Sequence, residues 1–331
     1  MRSLTLLSLA VAILTACTRN TEVQTIGSIE YLDPSLSAII PENASVEILA
    51  EGFEWSEGPV WVESLEMLLF SDIPNNKVMK WTAAGGLEDY LAPSGFTGTF
   101  TDALEEGSNG LILDQEGRLL LCQHGDRRIA RMDAPLDDPA PVFVTIAAQY
   151  DSMRFNSPND AVMNRAGEIF FTDPPYGLTH GAEDSLKEIP FQGVYKIGTD
   201  GTVLLLIDSL TRPNGIGLSL DEKTLYVANS DSQKARWYVY ELTGDSISSG
   251  RILYDVTNET GSQPGLPDGL AVHSGGNIFA TGPGGVWILS PAGKLLGRIV
   301  LPNSTANCTL DSNERTLYIT SDMYLLRVKL M

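Results

Sequence analysis

The sequence predicts an all-β protein, a six-bladed β-propeller with a metal site at its centre. Three observations carry that prediction. A Glu, Asn or Asp recurs six times, at Glu57, Asn109, Asn159, Asn214, Asp268 and Asn307, each 12 or 13 residues ahead of the middle of a short apolar run. The runs centre on Phe70, Leu121, Phe171, Val227, Ala280 and Ile319, and successive centres lie 51, 50, 56, 53 and 39 residues apart, a period at which repeats mean a propeller or a solenoid. Each run also follows an earlier apolar stretch and a turn rich in Asp, Asn, Gly, Ser or Glu, so every repeat contains a β-hairpin.

The elements follow in order. The hairpins read EGPVWVESLEMLLFSD, SNGLILDQEGRLLLCQH, SPNDAVMNRAGEIFFTD, RPNGIGLSLDEKTLYVAN, LPDGLAVHSGGNIFATG and TANCTLDSNERTLYITS. Between them lie further strand-like runs, such as 193–197 and 202–207 joined by the turn Gly198-Thr-Asp-Gly201. Four strands per repeat and six repeats suit a closed ring, which protects sheet edges. The last interval is the shortest and few residues follow Ile319, so a strand near Ser45–Ala50 is expected to complete the sixth blade. Helix signals are sparse; 183–188 is expected to form one turn inside a loop. No WD signature appears.

Residues 1–16 read as a secretory signal, with Arg2, an apolar run from Leu4 to Leu14 and small residues before a cysteine. The ending Leu14-Thr-Ala-Cys17 resembles the bacterial lipobox, which implies lipidation of Cys17 and an exported lipoprotein of the periplasm or cell envelope, held at a membrane only through that anchor. Residues 17–44 lack a clear period and carry Pro34 and Pro41. They read as a tether with room for one ordered segment, and 45–331 as the propeller. The chain of 331 residues carries a net charge of -20, which repels phosphate backbones and anionic membranes and argues against nucleic acid as a partner. No protein partner is implied. Cys122 and Cys308 fall in repeats that the first blade separates, so both are expected as buried free thiols.

A strand, a turn and a return strand bring the chain back to the face it left. The recurrent polar residues therefore converge on the axis at one face of the ring. Glu57, Asn159, Asn214 and Asp268 offer carboxylate and amide oxygens with two formal charges, a donor set suited to calcium rather than zinc. The three histidines have no zinc-ligand spacing.

Ser56-Glu-Gly-Pro59, Arg154-Phe-Asn-Ser-Pro-Asn-Asp160, Arg212-Pro-Asn-Gly215 and Leu266-Pro-Asp-Gly269 resemble the senescence-marker-protein/gluconolactonase family of calcium-dependent propeller hydrolases, over roughly residues 45–331. The stretches 107–111, 122–128 and 172–177 are most similar to its bacterial gluconolactonase branch. The resemblance implies metal ligands at Glu57, Asn159, Asn214 and Asp268, with Asn159 contacting substrate in some members. It also implies calcium-dependent hydrolysis of a sugar lactone to the aldonic acid, with Asp268 as first choice for the base.

Physical reading of the same chain adds Asp173 and His124 as alternative proton-transfer groups, because each follows a second strand on the expected metal face. Asn109, Asn159, Arg154, Tyr176 and Phe155 are candidate substrate walls, and 93–101 reads as a loop partly covering a pocket. His273 lies in a turn on the opposite face, and His180 in the long loop after Tyr176. Two rival readings stay open: a calcium-stabilised propeller that binds without turnover, and a hydrolase of organophosphates or aryl esters. Polar walls favour a sugar; a wide apolar pocket favours the esters. No nucleophile elbow, phosphate-binding loop or His-Glu-x-x-His motif occurs.

Overall fold

Each apolar run of the repeat becomes the second strand of a four-stranded antiparallel blade. In blade one the strands are Ser56–Val62, Met67–Asp72, Lys77–Thr82 and Gly86–Leu91, hydrogen-bonded in sequence order. Blades two, three and four repeat that order from Ser108–Leu113, Ala161–Met163 and Pro213–Leu218 outward. Blade five begins at Leu270–Val272 and blade six at Asn307–Leu310. The strand Val46–Glu51 pairs antiparallel with Tyr324–Lys329 and completes blade six, as expected. The structure is a computed structural model, and it describes residues 23–99 and 105–331. The expected signal 1–16, Cys17 and the end of the 93–101 loop lie outside the described residues.

The second strands are apolar on both sides because each is sandwiched between two neighbouring blades. Alternate side chains divide between them: Leu69 packs toward blade two, with Leu119 and Leu121, while Leu68 and Phe70 pack toward blade six, with Tyr318 and Leu325. Phe171 turns to blade two and Phe170 to blade four. Six such clusters, one at every seam, form the core. Cys122 and Cys308 lie in two different clusters as buried free thiols.

The stretch expected to be a tether is instead docked where it is described. Ser28–Tyr31 pairs with Leu295–Val300 as a fifth strand on blade five, and the short helix Pro34–Ala38 follows, capped by Asp33, whose side chain accepts from the Ser35 amide. Leu36 and Ile40 are fully buried between blades five and six. The apolar residues of this arm, Ile26, Ile29, Leu36 and Ile40, explain the docking: they cover a seam that blade five alone leaves open.

Candidate metal and substrate site

The first strands, or the residues just ahead of them, carry the six recurrent polar residues to the axis, through irregular registers in three blades. Pairing slips between Glu57 and Val60, between Ser108 and Leu111, and between Pro213 and Ile216. Such bulges re-aim a side chain without ending the strand. The glycine that follows four of the six, Glu57, Asn109, Asn214 and Asp268, answers a packing need. A Cβ on Gly58 would lie 2.1 Å from the Asn109 carbonyl oxygen of the next blade, and one on Gly215 would lie 2.1 Å from that of Asp268. Gly110 meets Asn159 and Asp160 in the same way, and Gly269 meets Asn307. Polar-Gly pairs thus let neighbouring first strands touch around the axis.

Hydroxyls late in the second strands brace this ring. Ser71 Oγ donates to the Asn109 carbonyl at 2.8 Å, Thr281 Oγ1 to the Gly269 carbonyl at 3.0 Å, and Thr320 Oγ1 to the Asn307 carbonyl at 3.2 Å. Thr172 Oγ1 receives the Asp160 amide at 3.3 Å.

At one mouth of the ring a cavity of about 350 Å³ is lined by Glu57, Asn109, Asn159, Asn214 and Asp268, with Trp55, Glu105, Tyr176, Arg212 and Ser230 among its walls. All four residues expected as metal ligands therefore share one cavity, together with Asn109 and Tyr176. Burial, then the Asp160 and Glu105 carboxylates, pushes Glu57 up to about 8, against the donation it receives from the Gly58 amide. Burial and the charges of Glu57 and Asp160 hold Asp268 well above the usual carboxylate range. Burial, and after it the Asp268 charge, raises the Tyr176 phenol.

Among the described residues, Asn159 has no hydrogen-bond partner for either amide atom, and neither Asn109 Oδ1 nor Asp268 Oδ1 has one. Buried polar atoms are seldom left so. Asn214 donates through Nδ2 to Ser230 Oγ at 3.0 Å, which leaves its oxygen as the free end. No cluster of three His, Cys, Asp or Glu side chains in metal-binding reach occurs among the described residues. The donor set is therefore mixed, carboxylate with amide, and a hard cation fits it: it would satisfy the orphaned oxygens and the crowded carboxylates together.

Several expected site residues lie elsewhere. Asp173 is fully buried outside the cavity lining, and its carboxylate accepts the Asn156 and Ser157 amides, both at 2.8 Å. Asp72 does the same for Glu54 and Trp55 in blade one, and Asn229 for Arg212 in blade four. Asp173 is thus the blade-three copy of a strap between the second strand and the entry to the first. Arg154 sits in an exposed hairpin, Gln149–Tyr150 with Met153–Arg154, away from the cavity. Phe155 is core, packed on Phe171 and Tyr195.

His124 is fully buried behind the wall rather than in it, with Nδ1 3.5 Å from Glu105 Oε2. His273 lies on the far face beside Glu314. The arginine that does line the cavity is Arg212, and the acid missed from sequence is Glu105, which has no repeat partner to reveal it. The loop from residue 94 is fixed at its root, where Asn76 Oδ1 accepts the amides of Ser94, Gly95 and Phe96.

A ring of six blades with oxygen donors at one mouth defines a class of propeller proteins that place a small-molecule site on the axis. Within that class the chain belongs to the SMP-30/Gluconolactonase/LRE-like family, whose model matches residues 55–323. It is 38% identical to a gluconolactonase of Zymomonas mobilis over 324 residues, 95% of this chain and 89% of that protein. It is 27% identical to the pentonolactonase XacC of Haloferax volcanii, over 74% of this chain and 73% of that one. Among solved structures, a gluconolactonase from Xanthomonas campestris superposes with a TM-score of 0.80 at 28% identity, covering 96% of this chain and all of that one.

Proposed function

We propose that this protein hydrolyses a sugar lactone of the gluconolactone type to its aldonic acid, with a divalent cation, calcium by its donor chemistry, held by Glu57, Asn159, Asn214 and Asp268. The observation that carries the reading is the cavity itself: orphaned amide oxygens and charge-crowded carboxylates share one open mouth, in a chain whose relatives include a gluconolactonase and a pentonolactonase. When bound, the cation supplies Lewis-acid polarisation of the lactone carbonyl and stabilises the charge that builds on its oxygen.

The chain's own residues do the rest. Asn109 and Tyr176 offer hydrogen bonds to sugar hydroxyls, Arg212 offers a fixed positive charge at the rim, and Trp55 presents an aromatic face. Most of the lining residues carry a polar side chain, which supports a sugar over an aryl ester or an organophosphate. The cavity's volume supports turnover over a closed structural ion.

The test is hydrolysis of glucono-1,5-lactone followed with a pH indicator against spontaneous opening, with calcium, after chelation, and with Asp268→Asn. Chelator-sensitive turnover lost in the variant supports the reading. Background rates from a protein whose Tm calcium still raises would instead make it a non-catalytic binding module.

We also propose export and anchoring through Cys17. Radiolabelled palmitate should enter the wild type and not Cys17→Ala; equal labelling of both would sink that idea.

A further inference from the structure

We propose that Glu105 takes the proton from the attacking water and that His124, buried behind it, is its positioning residue. The inference rests on the lactonase reading and assigns within it a role that Asp268 is poorly placed to fill. Asp268 sits with Glu57 among the donors for a cation, and a carboxylate held by a cation is a weakened base. Glu105 lies in the connection from blade one to blade two and lines the same cavity with a side chain 36% exposed. It is close enough for its charge to be felt at Glu57, Asp268 and Tyr176. Among the described residues it forms no contact with a Lys or Arg side chain.

His124 is what makes Glu105 more than a rim acid. Its ring is wholly enclosed, and neither nitrogen has a hydrogen-bond partner among the described residues. Among the described residues the Glu105 carboxylate, 3.5 Å from Nδ1, is its one charged neighbour in ion-pair range. A polar ring in that position has no packing reason to be histidine. Its place is kept by backbone: the His124 amide donates to the Gly107 carbonyl at 3.2 Å, and a Cβ on Gly177 would come within 2.7 Å of the His124 Cβ. Such a contact shortens into a hydrogen bond once substrate fills the cavity, as catalytic contacts commonly do.

The step balances without further reagents. The water oxygen bonds to the lactone carbonyl carbon as its proton passes to Glu105. The bond from that carbon to the ring oxygen then breaks, the proton on Glu105 goes to the departing ring oxygen, and the acid formed loses its own proton to solvent. The groups around this exchange are His124 behind Glu105, with Glu57, Asp268, Tyr176 and Arg212 lining the same cavity.

The experiment compares wild type, Glu105→Gln, His124→Gln and the double variant for lactone turnover across pH, calcium affinity and Tm. Wild-type turnover tests the lactonase reading by itself. Given turnover, Glu105→Gln should lower kcat at saturating calcium about 100-fold or more, with KM changed less than about twofold. His124→Gln should lower kcat about 10-fold with KM changed less than about twofold, because Glu105 loses the ring that fixes its carboxylate. The double variant should be no slower than Glu105→Gln alone. Glu105→Gln within about threefold of wild type, a His124→Gln loss that lies in KM rather than kcat, or additive losses in the double variant would overturn the assignment. A fall in Tm or calcium affinity that accounts for the lost rate would overturn it equally.

Discussion

Gly215 has no functional group, yet replacing it should cripple the site. A Cβ there would lie 2.1 Å from the Asp268 carbonyl oxygen and 2.8 Å from its carbon, against an ordinary contact beginning at 3.4 Å. The shortfall is about 1.3 Å, and the obstacle is backbone on both sides, so no rotamer change relieves it. Blade four and blade five must move apart at the residue that offers a carboxylate to the cavity. Overpacking of this kind costs about 1–3 kcal/mol, and a displacement of about 1 Å at a reacting centre costs about 100-fold in rate. Gly217→Ala, two residues along the same strand, is the control: its Cβ would meet the terminal Cδ1 of Leu270 at 2.5 Å, a flexible end that can swing aside. Calcium titration by Tm shift, with lactone turnover at saturating calcium, should show Gly215→Ala weakened at least about 10-fold in affinity. Gly217→Ala should stay close to wild type. If Gly215→Ala binds calcium and turns over like its control, close approach of first strands does not hold the site together.

Three further outcomes are expected. Burial and the neighbouring carboxylates push Glu57 in the metal-free fold up from 4.5 to about 8, so the native state keeps a proton that the unfolded chain has lost. Metal-free stability should therefore fall as pH rises from about 4.5 to 8, and calcium binding at pH 7 should release on the order of one proton or more, since Asp268 is raised with Glu57. Calorimetric heats that do not depend on the buffer at pH 7 would contradict this. Asp173→Asn leaves one of two buried amides facing an NH2 group, which should cost about 1–3 kcal/mol of stability while kcat stays within about threefold below Tm; a collapse of kcat with Tm unchanged would return Asp173 to the chemistry. Leu36→Ala should cost about 2–5 kcal/mol with turnover intact at low temperature, and an unchanged Tm would mean the arm does not hold its seam.

What the sequence discloses and what it hides divide along a physical line. Strand centres and axial donors repeat with the ring, so Glu57, Asn159, Asn214 and Asp268 could be placed in one cavity before any coordinates. The closing strand was legible because a ring one strand short has to borrow it from the other terminus. Asp173 misled because the same position serves as a strap in blades one and four, through Asp72 and Asn229. A residue at the end of a second strand reaches the correct face without reaching the axis. Arg154 misled for a related reason: it shares a motif with Asn159, but a two-stranded hairpin carries it outward. Glu105 and the docked arm left no periodic trace, since each occurs once, in a connection or at an end.

The sixth blade joins the two ends of the chain, and this orders events in time. Five seams can form between neighbours as the polypeptide emerges, but the last waits for residues near the C-terminus: Glu47 meets Arg327 across 280 positions. Contacts of such separation are slow to form and leave strand edges bare meanwhile. The docked arm is tied to the same closing strand, with the Ile26 amide bonded to the Val46 carbonyl at 3.0 Å. Losses at either end of the described chain therefore open one and the same joint, so residues 23–51 and the last ten form a single clasp, fastened last and the natural place for the ring to come undone.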